Sequence, residues 1–65
     1  MNDTLEQLID TNGLSVVLNT LADICNLKAQ HIEEAWQDRE LARAWIRAAL
    51  AIGTVSNKVI RAGLK

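Results

Sequence analysis

The chain has 65 residues, 49% of them apolar, with one cysteine, one histidine and no proline, tyrosine or phenylalanine. It is long enough for one domain only, and a chain of this size buries about 60% of its unfolded surface. One cysteine excludes an internal disulfide, one Cys and one His are too few for a four-ligand zinc site, and the longest uncharged run, Ala48 to Asn57, is far below the roughly 20 residues that span a bilayer.

The formal charge of −1 conceals a sorted distribution. All eight acids fall within residues 1–40, where only Lys28 and Arg39 oppose them, a net −6; residues 41–65 carry five bases and no acid, +5. A dipolar chain of this kind neutralises itself by folding back or by pairing with a copy. The lone thiol fits a reducing, cytoplasmic setting, and the acidic start Met1-Asn2-Asp3-Thr4 has the wrong sign for a secretory leader. A soluble cytoplasmic protein without cofactor or metal is expected.

The first predicted element, about 4–12, is a short helix. Asp3 is placed to cap it, with Glu6 three residues on as a variant capping box. Leu5, Leu8 and Ile9 follow at helical spacing, and Asn12-Gly13 ends it through a left-handed glycine.

The second, about 15–36, is a long amphipathic helix. Leu14, Leu18, Leu21, Cys25, Lys28, Ile32 and Ala35 follow a 4-3-4-3-4-3 spacing, and Val17, Ile24 and Leu27 widen the stripe. A stripe this broad suits a globular bundle rather than a two-stranded coiled coil.

The third, about 39–62, repeats the pattern with Leu41, Trp45, Ala48, Ile52, Val55, Val59 and Ala62. Beside that row lies another of mostly small residues: Ala42, Ile46, Ala49, Gly53, Ser56, Ile60 and Gly63. Small side chains admit a close neighbouring helix, which makes Ile46, Ala49, Gly53 and Ile60 the candidate oligomer interface and Gly53 a candidate close crossing. Gly63-Leu64 reads as a helix stop with its apolar contact. No glycine or proline separates the second and third elements, yet the apolar phase jumps near Asp38, itself a good cap. A tight hairpin around Trp36-Gln37-Asp38 is predicted, against one continuous helix from Ser15 to Ala62.

The fold expected is therefore all-α: a short helix plus a long antiparallel helical hairpin, with more apolar surface than one copy covers. A homodimer forming a helical bundle is the expected remedy.

Arg39, Arg43 and Arg47 stand four apart on the last helix, and Lys58, Arg61 and Lys65 continue roughly that face. As a solvated face it would pair with neighbouring acids, Glu33 and Glu34 near Arg43 and Asp10 near Arg61. As a functional face it would dock a protein partner or, less favourably at a pI of about 5.6, nucleic acid. Trp36 and Trp45 flank the turn and are expected to pack in the core rather than serve as a partner hot spot. Cys25 reads as a buried apolar residue and His31 as solvated. Glu33 and Glu34, adjacent on a helix, diverge by about 100° and cannot act as an acid–base pair. No phosphate loop, metal spacing or catalytic triad is present, so no enzyme is expected.

The run Leu21-Ala22-Asp23-Ile24-Cys25, with Lys28-Ala29, His31-Ile32, Trp36-Gln37-Asp38, Leu41-Ala42 and Trp45, resembles small uncharacterised helical proteins encoded by bacteria and phages. The resemblance covers about the central half of the chain. It implies that Trp-Gln-Asp belongs to the turn region and carries no activity, cofactor or partner with it. The best functional expectation is a non-enzymatic oligomeric interaction or regulatory module, and the alternative a nucleic-acid-binding accessory dimer using the basic face.

Overall fold

A computed structural model describes residues 1–64, apart from the side chain of Trp36. It consists of three helices: α1 (Asn2–Asn12), α2 (Leu14–Trp36) and α3 (Arg39–Arg61). Lys65, expected on the basic face, and the packing of the Trp36 ring lie outside the described residues.

The helix ends show which local signals act. Asp3 does not cap α1: the helix starts two residues earlier than expected, at Asn2 behind Met1, without a side-chain cap, and Asp3 sits in its first turn. There its charge still meets the positive end of the helix dipole. Gly13, at φ 92° and ψ 151°, breaks the chain between α1 and α2 in a conformation that essentially only glycine reaches. Gln37 at φ 55° turns the chain after α2, so the left-handed residue of this turn is not a glycine. Asp38 caps α3 as expected, its carboxylate accepting from the Leu41 N–H at 3.0 Å. At the far end Gly63, φ 82°, closes α3. The Leu64 N–H bonds the Val59 carbonyl at 3.1 Å and the Gly63 N–H the Ile60 carbonyl at 3.1 Å, a full Schellman motif.

α2 and α3 pack as the antiparallel hairpin, and α1 packs on α2. Among the described residues α1 and α3 make no packed backbone contact. The seam between the long helices is built differently from the expectation. Its α2 side is Ser15, Leu18, Ala22, Cys25, Ala29 and Ile32, all buried or half-buried, while Leu21, Lys28 and Ala35 of the expected row are exposed. Its α3 side is Ala42, Trp45, Ala49, Ile52, Ser56 and Val59. Ala42 and Ser56 are each only 1% exposed.

The Ser56 hydroxyl donates to the Ser15 carbonyl across the seam at 3.4 Å. Counting both helices away from that contact at 1.5 Å per residue brings Ala22 level with Ala49 and Ala29 level with Ala42. Alanine and serine thus recur every seven residues on both sides, at matching levels. Two small rows run along the middle of the seam, Leu18, Ile32, Trp45, Ile52 and Val59 pack beside them, and Leu21 and Leu41 are left out on the flank. This is why the small-residue row of α3 is spent inside the chain.

α3 runs through Gly53 unbroken, and a Cβ built there meets nothing within 4 Å, so no helix of this chain crosses close to it.

The result is flat and open. The backbone spans 39 × 25 × 13 Å, and its radius of gyration is 13.5 Å against about 11 Å for a compact chain of this length. The accessible surface is 5244 Å², whereas a compact protein of 7.2 kDa exposes about 4,100 Å².

Candidate interaction surface

Two flanks of the hairpin can be told apart by their contacts. On one, the Lys28 ammonium stands 5.8 Å from the centre of the Trp45 ring, a cation–π contact contributing about 0.5–1 kcal/mol at a partly exposed position. Helical phase puts Val17, Leu21 and Ile24 of α2 and Leu41, Ala44, Ala48, Ala51 and Val55 of α3 on this flank. Leu21, Ile24, Leu41 and Val55 are all exposed large apolar residues.

On the other flank, Glu33 faces Arg39, Arg43 and Ile46 across a shallow groove floored by Ala42. Here α2 presents Asn19, Asn26 and Gln30, all exposed. α3 presents Ile46, Leu50 and Ile60, with Leu50 67% and Ile60 56% exposed. Only the first flank is apolar on both helices.

α1 adds an arm beside that flank. Leu5, Leu8 and Asn12 meet Val16, Val17, Thr20, Leu21 and Ile24 in an apolar groove of about 290 Å³. The acids Asp3, Glu6 and Asp10 lie on the opposite side of α1, all exposed. The expected pairing of Asp10 with Arg61 does not form, because α1 leans on α2 and not on α3. At the base of α1, Asn12 shares a hollow with Ser15, Ile60 and Leu64.

The candidate basic residues Arg39, Arg43, Arg47, Lys58 and Arg61 are all exposed. Arg47, Lys58 and Arg61 form a ridge along the outer edge of α3, turned away from α2, and Arg43 stands between that ridge and the Glu33 groove. The side-chain hydrogen bonds among the described residues are local helix contacts, the Asp38 cap and the Ser56–Ser15 contact; none involves an arginine or lysine. Lys58 and Arg61 also occupy the last turn of α3, where positive charge opposes the helix dipole. Of the candidate interface residues, Ala49 is buried within the chain, Gly53 is half-buried, and Ile46 and Ile60 are exposed.

Cys25 is buried in the seam, as its apolar surroundings predicted. His31 is exposed. Among the described residues no three His, Cys, Asp or Glu side chains gather as a metal site, and no helix is long and apolar enough to cross a membrane. No family model, curated protein or solved structure matches the chain.

Sequence reasoning set Ala48 in the apolar row of the last helix but missed Ala44 and Ala51, which make with it a small-residue row on the flank. Its signal was present: the residues lie at three- and four-residue steps between Leu41 and Val55. Alanine reads as seam or surface equally well, so the row stayed hidden behind the more conspicuous Leu41-Trp45-Ile52 series.

Proposed function

We propose that this chain is a non-enzymatic interaction module that works as a homodimer, a helical bundle which binds or regulates another macromolecule in a reducing, cytoplasmic setting. One observation carries the reading. The hairpin builds its own seam around alanine and serine and leaves Leu21, Ile24, Leu41 and Val55 exposed together on one flank. The surface in excess of a compact monomer is about 1,100 Å², and a standard interface takes about 800 Å² from each partner. A second copy is the simplest cover.

Sedimentation equilibrium across the micromolar range tests this. The expected mass is about twice 7.2 kDa. A single-chain mass throughout that range would falsify the homodimer.

The exposed basic ridge gives the alternative, a nucleic-acid-binding accessory dimer. Backbone-phosphate binding needs such a ridge, but single-strand stacking also needs aromatics beside it, and Trp45 is turned toward α2 and Lys28. Retention on a DNA column that falls steeply with salt would favour this alternative over a protein partner.

A further inference from the structure

The sorted charges of the sequence become two edges of the folded slab. The outer side of α1 carries Asp3, Glu6 and Asp10; the outer side of α3 carries Arg47, Lys58 and Arg61 with Arg43 beside them, and α2 keeps the two apart. Neither edge meets the other within one chain. We propose that the second copy stacks on the apolar flank about a two-fold axis parallel to the long helices. In that arrangement the partner's α2 lies over α3, and the partner's acidic α1 lies along the basic ridge. This rests on the homodimer reading above and adds the geometry and charge pairing of that dimer.

Three features select the arrangement. The first is shape. Val17, Leu21 and Ile24 on α2 are large, whereas Ala44, Ala48 and Ala51 on α3 are small. The Ser56–Ser15 contact places Leu21 level with Leu50, between Ala48 and Ala51 of the small row. An axis parallel to the helices preserves levels, so each copy's large ridge fits the other's alanine trough, as ridges fit grooves between helices.

The second is charge. In the α1–α2 groove Leu5 and Leu8 meet Thr20, Leu21 and Ile24. Asp3 and Glu6 therefore stand at the level of the stretch from Arg43 to Ala49. Stacking brings them beside Arg43 and Arg47 of the other copy, twice by symmetry, and opposite charges across an interface fix its register.

The third is the alternative axis. A two-fold perpendicular to the helices sets α3 against α3 and α1 against α1. Basic ridge would then adjoin basic ridge, acid would adjoin acid, and like charges juxtaposed across an interface disfavour that partner.

A mixing experiment reads this directly. One chain carries Asp3→Lys and Glu6→Lys; a second carries Arg43→Glu and Arg47→Glu. All four positions are exposed, and far-UV circular dichroism checks that each variant keeps its helices. Each variant alone is expected to self-associate about tenfold or more weakly than the parent, because attraction becomes repulsion at both ends of the dimer. An equimolar mixture is expected to recover parent-like affinity as a heterodimer, detected by fluorescence energy transfer between labelled chains.

The geometry is overturned if both variants dimerise as tightly as a dimeric parent, or if the mixture associates no better than either alone. A monomeric parent overturns the homodimer itself, which separates the two failures. Should the Arg43→Glu/Arg47→Glu variant misfold, the Asp3→Lys/Glu6→Lys chain mixed with the parent still decides. Parent and variant must then pair less well than two parents, and equal pairing refutes the contact.

Discussion

Gly53→Ala is the substitution whose outcome depends most directly on how α3 is covered. Gly53 lies in the interior of a 23-residue helix that continues through it. Glycine there costs about 0.8–1.0 kcal/mol relative to alanine, since it loses more backbone freedom on folding. Nothing within 4 Å obstructs an added Cβ, so no clash offsets the gain. The variant is expected to be more stable by about 1 kcal/mol. With an unfolding entropy of about 2.1 cal/mol/K per residue, that shift raises the melting temperature by about 7 °C. Calorimetry or circular dichroism melting at one fixed protein concentration measures it, and sedimentation at the same concentration shows whether association changed. On the proposed stacking Gly53 lies off the covered flank, so dimer affinity stays constant while stability rises. A variant that melts lower, or that dissociates, refutes this reasoning. It would mean that a second chain approaches α3 at Gly53, beside Ile46 and Ile60, and not at Ala48 and Ala51.

Two further substitutions probe the hairpin itself. Asp38→Ala removes the acceptor of the Leu41 N–H and is expected to lower stability by about 1 kcal/mol, the usual cost of losing a helix cap, measured by urea denaturation with an unchanged slope. Ser56→Leu forces a large side chain into a seam where Ser56 is 1% exposed and should cost about 1–3 kcal/mol. Ser56→Ala should stay within about 1 kcal/mol of the parent, the scale of one hydrogen bond, because it deletes only a long contact. Equal losses in the two Ser56 variants would show that the hydroxyl, and not the space, controls the seam.

Much of the fold was legible in the sequence because helices announce themselves by period and by caps. The jump of apolar phase near Asp38 located the turn without any glycine, and the Asp38 cap is formed by its carboxylate. Gly63-Leu64 likewise marked the C-terminal stop. The inward faces were less legible. Leu21 outranks Ala22 in hydrophobicity, so a count of apolar residues puts Leu21 in the seam, yet Ala22 is the half-buried one. The deciding quantity is the distance between two helix backbones, which belongs to the pair. Only when Ser15, Ala22 and Ala29 are set opposite Ser56, Ala49 and Ala42 does the preference for a close seam appear. The expected intrachain pairing of Asp10 with Arg61 failed for a related reason: it needed the direction in which α1 leaves Gly13, and that direction turns on one glycine's φ and ψ.

The close seam has a consequence for stability. Small residues bury little area each, and burial contributes roughly 25 cal/mol per Å² of apolar surface. The unfolded chain exposes about 1.45 Å² per dalton, so an exposed surface of 5244 Å² at 7.2 kDa leaves only about half of it buried by the isolated fold. A monomer of this design sits near the bottom of the stability that small domains reach, and most of its large apolar side chains contribute fully only when something covers them. In the proposed homodimer, folding and association would be one linked equilibrium, with the second copy acting as a ligand of the native state. The alanine seam that leaves the monomer marginal is also what pushes Leu21 and Ile24 out to where a second chain can use them.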